Sequence, residues 1–231
     1  MEFYVDIADI ETVREINAYY PIAGFTTNPN ILAKAKRPLP ELFIAYRDYV
    51  RETGQKVFVQ VTAAKAEDMT AQAEKLSAFF GDRLVVKLPA VTEGYRALKL
   101  CKAMGMVVCV TVVHSTMQAL TAAAAGADYV APYISHIDNI GADGVRCVGE
   151  IVRALDRAGS PCKVLGASFR TVEQVDKLAI AGCHAVTITP ETFGMLIAHP
   201  STDVSMKGFD RAWRKAFGDG EITDYLPEGT C

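Results

Sequence analysis

The 231-residue sequence lacks the features of a membrane or secreted protein. Its uninterrupted apolar stretches, such as Met106–Val110, fall far short of the roughly 20 residues that a membrane-spanning helix needs. Its first residues are acidic and strand-like, without the basic and apolar regions of a signal peptide. We therefore expect a cytoplasmic protein with no membrane partner.

The sequence also has no excess of positive charge. Its 24 Lys and Arg residues are outnumbered by 27 Asp and Glu residues, which gives a formal net charge of −3. Nucleic-acid-binding domains carry a clustered basic excess, so we expect no nucleic-acid partner. The hydrophobic share of 50% excludes a disordered chain.

Metal-binding and redox spacings are missing as well. The six cysteines form no C-x-x-C pair and lie partly inside apolar runs, where a free thiol packs as a small hydrophobic side chain. The four histidines show no H-E-x-x-H spacing. We expect reduced thiols, no metal, and structural roles for His184 and His199, whereas His114 and His136 remain open.

Short apolar runs alternate with longer helical patterns along the whole chain. Strands that alternate with helices need crossover connections and therefore form a parallel sheet. Eight such units predict an α/β protein, a single (β/α)8 TIM barrel; an open doubly wound sheet is the alternative, weakened because no G-x-G-x-x-G follows the first strand. The predicted strands cover residues 3–6, 23–27, 56–62, 84–88, 107–113, 129–132, 163–167 and 185–188. The predicted helices cover residues 10–19, 29–51, 67–80, 92–104, 116–125, 143–158, 171–181, 190–198 and 205–217.

The last predicted helix is additional to the eight units. It carries an apolar stripe of Met206, Phe209, Trp213 and Phe217, suited to cover the barrel or to dock on a neighbouring subunit. We predict one domain over residues 1–218, the barrel with this extra C-terminal helix, and a polar, mobile tail over residues 219–231.

One lysine stands out, because active sites of such barrels lie at the C-terminal ends of the strands. Lys87 lies in an apolar strand, Val86-Lys87-Leu88, where its amine cannot reach bulk water. Desolvation favours the neutral amine, which is a nucleophile toward carbonyls and can form a Schiff base. The alternative is a lysine that forms an ion pair with Asp6 or another carboxylate.

Further polar side chains follow the other strands. Proton transfer is a possible role for Asp6 and Tyr133, and Gln60 and Thr111 are placed to hold a water. Asn28 is a candidate for binding a substrate hydroxyl, or it caps the next helix. Ser168 and Arg170 follow strand seven, a usual phosphate site in such barrels, although a solvated arginine is an equal alternative.

At these residues the sequence resembles the transaldolase family over nearly its whole length. The motifs are Asp6, Gly24-Phe25-Thr26-Thr27-Asn28-Pro29, Val86-Lys87-Leu88-Pro89 with Glu93-Gly94, Gln118-Ala119 before Ala124-Ala125-Gly126-Ala127, Val130-Ala131-Pro132-Tyr133 and Gly166-Ala167-Ser168-Phe169-Arg170. The length and details are most similar to the branch of small fructose-6-phosphate aldolases.

The resemblance implies a class I aldolase that needs no metal or cofactor. Lys87 matches the Schiff-base lysine and Asp6 the acid that assists proton transfer. Substrate-binding positions are matched at Asn28 and Ser168, with Thr26 in the same motif as Asn28 and Arg170 at a basic position. Gln60 and Tyr133 match the aldolase branch rather than transaldolases proper, so we expect cleavage of a sugar or sugar phosphate at C3–C4, with transaldolase activity as the alternative.

One position departs from the family pattern. His136 stands where an arginine is expected to help bind the substrate phosphate. A neutral imidazole is a weaker phosphate partner than a guanidinium, so a non-phosphorylated substrate remains open, and so does a sugar-binding protein without catalysis. The resemblance also implies a homo-oligomer, a decamer built from pentamers.

Overall fold

The computed structural model describes residues 1–227. Its eight strands pair in parallel, each with the next in the chain, and the eighth pairs with the first, so the predicted (β/α)8 barrel is confirmed and the open sheet is wrong. The strands are β1 (Glu2–Asp6), β2 (Gly24–Thr26), β3 (Lys56–Gln60), β4 (Leu84–Pro89), β5 (Val108–Val113), β6 (Tyr129–Pro132), β7 (Lys163–Gly166) and β8 (Ala185–Ile188).

The helices follow the strands as the alternation predicts. They are α1 (Ile10–Tyr19), α2 (Pro29–Ala33), α3 (Leu39–Thr53), α4 (Ala66–Phe80), α5 (Thr92–Ala103), α6 (Thr116–Ala124), α7 (Ile134–Asn139), α8 (Gly144–Arg157), α9 (Val172–Ile180), α10 (Pro190–Ile197) and α11 (Pro200–Phe217). Several begin where a short polar side chain accepts a hydrogen bond from the first turn, which is the expected way to satisfy the free N–H groups there. Such caps are Asp9, Asn28, Ser115, Asp143 and Thr171.

Two predicted connections differ from the structure. The single helix predicted from Pro29 to residue 51 is two helices, α2 and α3, because Pro38 begins the second and disfavours helical backbone at the residue before it. Between β6 and α8 lies α7, a helix of six residues that was not predicted, since so short a segment shows no helical periodicity.

The chain divides into two compact units, Met1–Phe193 and Gly194–Cys231. Within the second, α11 is followed by a 3-10 turn, Ile222–Tyr225, whose Tyr225 ring contacts Trp213 and Phe217. The Trp213 indole N–H also donates to the Gly220 carbonyl at 2.7 Å. The predicted tail therefore begins with an ordered turn, while its residues 228–231 lie outside the described part of the chain.

Side chains that point into the barrel form one continuous core. Because side chains alternate along a strand, each strand contributes every second residue to this interior. Rings of Tyr4 and Tyr129 pack edge-on against Phe58, with centroids 5.0 and 5.2 Å away. The core cluster is Tyr4, Phe58, Val85, Cys109, Tyr129, Ala131, Leu165 and Ala185.

The N-terminal end of the barrel is closed by an ion-pair network. Glu2 accepts hydrogen bonds from Lys163 at 2.5 Å and from the Tyr4 hydroxyl at 2.8 Å. Lys56 donates to the Tyr129 hydroxyl at 2.7 Å. These groups satisfy one another, so the network seals this end, and the open polar mouth lies at the other end of the strands.

Two sequence expectations concern features outside the barrel architecture. None of the helices within residues 1–227 is long and apolar enough to cross a membrane. The cysteines in the described chain, Cys101, Cys109, Cys147, Cys162 and Cys183, are free thiols, and Cys231 lies beyond it.

Candidate active site

The C-terminal mouth of the barrel holds a cavity of about 540 Å³. Several cavity residues lie two positions after a core residue on the same strand. Because side chains alternate along a strand, they point into the barrel as the core residues do. These residues are Asp6 after Tyr4, Gln60 after Phe58, Lys87 after Val85 and Thr111 after Cys109. All the predicted site residues line this cavity except Thr26, which is fully buried behind it. The lining ones are Asp6, Asn28, Gln60, Lys87, Thr111, Tyr133, His136, Ser168 and Arg170.

Lys87 is buried in the wall of this cavity, with 5% of its surface exposed. Its Nζ donates one hydrogen bond, to the Thr27 carbonyl at 2.8 Å. Within residues 1–227 it forms no ion pair with Asp6 or with any other carboxylate. The amine is therefore held in place by a neutral acceptor, and it faces a cavity large enough for a small ligand.

Asp6 lies partly buried beside this amine. The Thr26 hydroxyl donates to its Oδ1 at 2.6 Å, and Thr187 in turn contacts the Thr26 hydroxyl at 2.7 Å. Burial raises the pKa of Asp6, while the Lys87 charge and the Thr26 hydrogen bond oppose that rise. A carboxyl with a raised pKa exchanges protons closer to neutral pH, which suits an acid–base group. Thr26 therefore contacts Asp6 rather than the cavity.

Tyr133 lies across the cavity, at the start of α7. Its hydroxyl is 3.2 Å from the Thr111 hydroxyl. Two imidazoles surround its ring: His136 packs perpendicular to it at 5.2 Å, and His114 stacks on His136 at 5.6 Å. Burial lowers the pKa of His114, and the neighbouring charge of His136 lowers it further. The two imidazole rings form an aromatic wall beside Tyr133.

Ser168 and Arg170 lie in the loop after β7, as predicted for an anion site. The Gln174 side chain accepts from the Arg170 backbone N–H at 2.7 Å and donates to Asp138 at 2.6 Å, which fixes the start of α9. The Arg170 guanidinium forms no ion pair in the described chain. It remains available to a ligand.

Two cavity residues have left-handed backbone without being glycine. They are Val112, with φ 61°, and Ser168, with φ 62°. Such backbone is unfavourable for a β-branched residue such as valine. At Val112 the pairing register of β5 and β6 shifts between Val110 and Val113. Backbone strain of this kind clusters at functional sites. No sequence pattern predicted the left-handed backbone at these two residues.

Asn28 fits both of its predicted roles at once. Its Oδ1 accepts from the Ile31 N–H at 3.0 Å and so caps α2. Its side-chain amide nitrogen has no acceptor within the described residues, and the residue lines the cavity. A substrate oxygen can accept from that nitrogen.

The remaining histidines have local structural contacts. His184 accepts at Nδ1 from the Val164 N–H, and His199 accepts from the Ser201 N–H at the start of α11. Within residues 1–227 no group of three or more His, Cys, Asp or Glu side chains is arranged to hold a metal ion.

Among the cavity residues to which sequence reasoning gave no role are Thr187 and Lys34. Thr187, a polar residue near the end of β8, belongs to the Asp6 hydrogen-bond chain. Lys34 reaches the cavity from the end of α2, six residues beyond the strand-end motif, and no pattern singles it out.

A (β/α)8 barrel whose mouth gathers a buried lysine, a partly buried carboxyl and a tyrosine around one cavity has the architecture of a barrel enzyme. Residues 3–223 match the family described as transaldolase/fructose-6-phosphate aldolase, and the chain belongs to this family. It therefore has an aldolase- or transaldolase-type activity on sugar phosphates.

Solved structures of other proteins share the fold. Thiamine phosphate pyrophosphorylase from Pyrococcus furiosus matches with a TM-score of 0.59 and 15% identity, over 84% of this chain and 93% of that one. A mandelate oxidase with an FMN adduct matches with a TM-score of 0.58 and 15% identity, over 85% of this chain and 67% of that one. At this identity the likeness concerns the fold alone.

Proposed function

We propose that the protein is a Schiff-base aldolase of the small fructose-6-phosphate aldolase branch, which cleaves or forms the C3–C4 bond of a ketose. The observation that carries the proposal is the Lys87 amine, 5% exposed, in the wall of the 540 Å³ cavity and without a carboxylate partner in the described chain. A desolvated amine is a good nucleophile toward a carbonyl carbon. Its neighbours supply the proton transfers that imine chemistry needs.

The proposed reaction begins with attack of the Lys87 nitrogen on the C2 carbonyl of the ketose. The carbinolamine loses its hydroxyl as water, with the proton supplied on the Asp6 side, and a protonated imine forms. The Tyr133 oxygen, acting as the phenolate, takes the C4 hydroxyl proton through a water held by Gln60 and Thr111, and the phenol so formed returns this proton to C3 of the enamine. The C3–C4 bond then breaks, its electron pair moves toward the imine nitrogen, and the aldehyde leaves. Protonation of the enamine at C3 and hydrolysis release dihydroxyacetone and the free amine.

The cavity also contains groups suited to hold the substrate. Asn28 has a free amide nitrogen for a substrate hydroxyl, and Ser168 and Arg170 lie together in the loop after β7. The family includes both aldolases and transaldolases. Gln60 and Tyr133, residues typical of the aldolase branch, favour cleavage, and transfer of a dihydroxyacetone unit to an acceptor sugar is the second candidate.

Reduction with borohydride in the presence of dihydroxyacetone tests the proposal. We expect a mass increase of one reduced three-carbon adduct, and peptide mapping should place it on Lys87. Lys163, a strand lysine that is held by Glu2 at the opposite end of the barrel, serves as the internal control and should stay unmodified. Recovery of Lys87 without the adduct would contradict the proposal.

A Tyr133→Phe variant tests the distinction between cleavage and transfer. Since loss of a general acid–base group costs about 10²–10⁴-fold, we expect free dihydroxyacetone release to fall by at least about 10²-fold. Transfer to erythrose 4-phosphate should fall less, so the transfer-to-cleavage ratio rises. Parallel assays with and without this acceptor measure the ratio.

Tyr129→Phe is the matched control, because Tyr129 begins β6, the strand that precedes Tyr133, and points inward at the sealed end of the barrel. It should leave the ratio unchanged. An unchanged ratio in Tyr133→Phe would show that the Tyr133 hydroxyl does not take part in the cleavage step.

A further inference from the structure

The cavity carries more positive charge than its catalytic lysine accounts for. Its charged lining residues are Lys34, Lys87, Arg170 and Asp6. Lys34 and Arg170 form no ion pair anywhere in residues 1–227. With the imidazoles neutral, the formal balance is three positive charges against one negative. Two unpaired cations around one cavity favour a ligand that brings an anionic group.

The histidine at position 136 does not account for this excess. His136 stacks on His114 at 5.6 Å, and both rings pack against Tyr133. Burial lowers the pKa of His114, and the charge of His136 lowers it further. The aromatic wall therefore lacks the fixed charge that an arginine would supply there.

Lys34 is positioned to supply a fixed positive charge to the cavity. It ends α2, where its backbone N–H donates to the Ile31 and Leu32 carbonyls, and it lies one turn from Ile31, which lines the same cavity. Asn28, at the start of α2, lines this cavity as well. The short helix thus brings an amide and an amine to one wall of the cavity, and Arg170 lies in another part of its lining.

A neighbouring cavity of about 550 Å³ shows why the other cations of this loop are not equivalent. It is lined by Lys34, Lys36 and Arg37, and also by three carboxylates, those of Asp6, Asp9 and Glu191. Its formal charge is balanced. Lys36 and Arg37 do not line the cavity that contains Lys87, so Lys34 is the residue of this loop that adds to its positive excess.

We propose that Lys34 is a specificity-determining residue that binds, together with Arg170, the phosphate group of the substrate in place of an arginine at position 136. Arg170 offers a planar fork and Lys34 a point charge, and both make charge-assisted hydrogen bonds to phosphate oxygens. This inference rests on the proposed function for the identity of the substrate, a phosphorylated aldehyde or ketose. It assigns the recognition of the phosphate to the end of α2 and the loop after β7 rather than to α7.

The test compares Lys34→Gln with Lys36→Gln. Both lysines are exposed and both line the second cavity, but Lys34 alone of the two also lines the cavity that contains Lys87. Synthesis from dihydroxyacetone is assayed with glyceraldehyde 3-phosphate and with unphosphorylated glyceraldehyde as acceptors. Loss of one charge-assisted hydrogen bond should raise the KM for glyceraldehyde 3-phosphate about tenfold in Lys34→Gln. The KM for glyceraldehyde should stay the same in this variant, and Lys36→Gln should match the unaltered protein with both acceptors.

A binding measurement separates this inference from the proposed function. Inorganic phosphate is titrated calorimetrically into the unaltered protein and into both variants, which requires no turnover. Weaker phosphate binding in Lys34→Gln alone supports the inference even if borohydride fails to label Lys87. Equal phosphate binding in all three proteins overturns the inference, even where Lys87 is labelled.

A second substitution checks that charge, not the fold of α2, is responsible. Lys34→Gln combined with His136→Arg should restore the preference for glyceraldehyde 3-phosphate, because a fixed positive charge returns to the cavity from α7. If the double variant shows no gain over Lys34→Gln, the anion does not lie between these positions and the assignment is wrong.

Discussion

Replacement of Lys87 by methionine or by arginine is expected to abolish aldol cleavage. We expect kcat/KM to fall by at least about 10⁴-fold in both variants, equivalent to about 5 kcal/mol of lost transition-state stabilisation at 1.36 kcal/mol for each factor of ten. Methionine keeps the length of the side chain without its amine, and arginine keeps the charge without a nucleophilic nitrogen. The measurement is steady-state cleavage of fructose 6-phosphate with coupled detection of the aldehyde.

The two variants together separate nucleophilic from electrostatic roles. If Lys87 acted only as a positive charge for Asp6 or for the substrate, Lys87→Arg would retain activity that Lys87→Met lacks. Equal loss in both supports covalent catalysis. Thermal melts of both variants show whether the fold persists, and we expect it to persist in Lys87→Met because the adjacent barrel core at Val85 is apolar. Retained activity in Lys87→Arg would contradict the Schiff-base mechanism.

The barrel could be predicted from sequence because its signal is repeated. Eight apolar runs, each followed by a helical pattern, leave few topologies for a parallel sheet, and the closed pairing of β1 with β8 is one of them. The predictions of helices were wrong where a segment is too short to show helical periodicity. The helix α7 has six residues and carries His136, which the sequence placed only after the sixth strand and in no helix. The predicted helix of residues 29–51 ran through Lys34. In the structure α2 ends just before Lys34 and α3 begins after Pro38, so the prediction did not show that Lys34 lies at a helix end.

The candidate site could be predicted for a geometric reason. Strand-end residues of parallel strands meet at one mouth of a closed barrel, so a list of polar strand ends is a list of neighbours. Thr26 shows the limit of this argument: it lies at a strand end, but its hydroxyl is used by Asp6 and Thr187 and it is fully buried. The left-handed backbone of Val112 and Ser168 depends on tertiary contacts, which local propensity does not encode.

Gly94→Ala is expected to destabilise the barrel more than any surface substitution. Gly94 is buried near the start of α5, and a Cβ there would lie 1.9 Å from the Pro89 carbonyl oxygen. That carbonyl cannot move freely, because it accepts from the Val91 N–H at 2.8 Å and Pro89 ends β4. Overpacking against fixed backbone costs about 3 kcal/mol or more, so the melting temperature should fall by roughly 6–12 °C.

The same substitution connects packing to the site, since Pro89 lies two residues beyond Lys87 on β4. A displacement of this strand end by about 1 Å should lower kcat/KM by roughly 10²-fold at temperatures where the variant is folded.

Gly149→Ala is the matched control, a second buried helical glycine whose added Cβ would lie 3.4 Å from the flexible end of Arg153 and 3.5 Å from the Ala181 Cβ. It should melt at or slightly above the temperature of the unaltered protein, because alanine favours a helix by about 1 kcal/mol over glycine. Equal melting temperatures of Gly94→Ala and Gly149→Ala in calorimetry would show that α5 shifts without a cost in stability. The close approach of α5 to β4 would then not position Lys87.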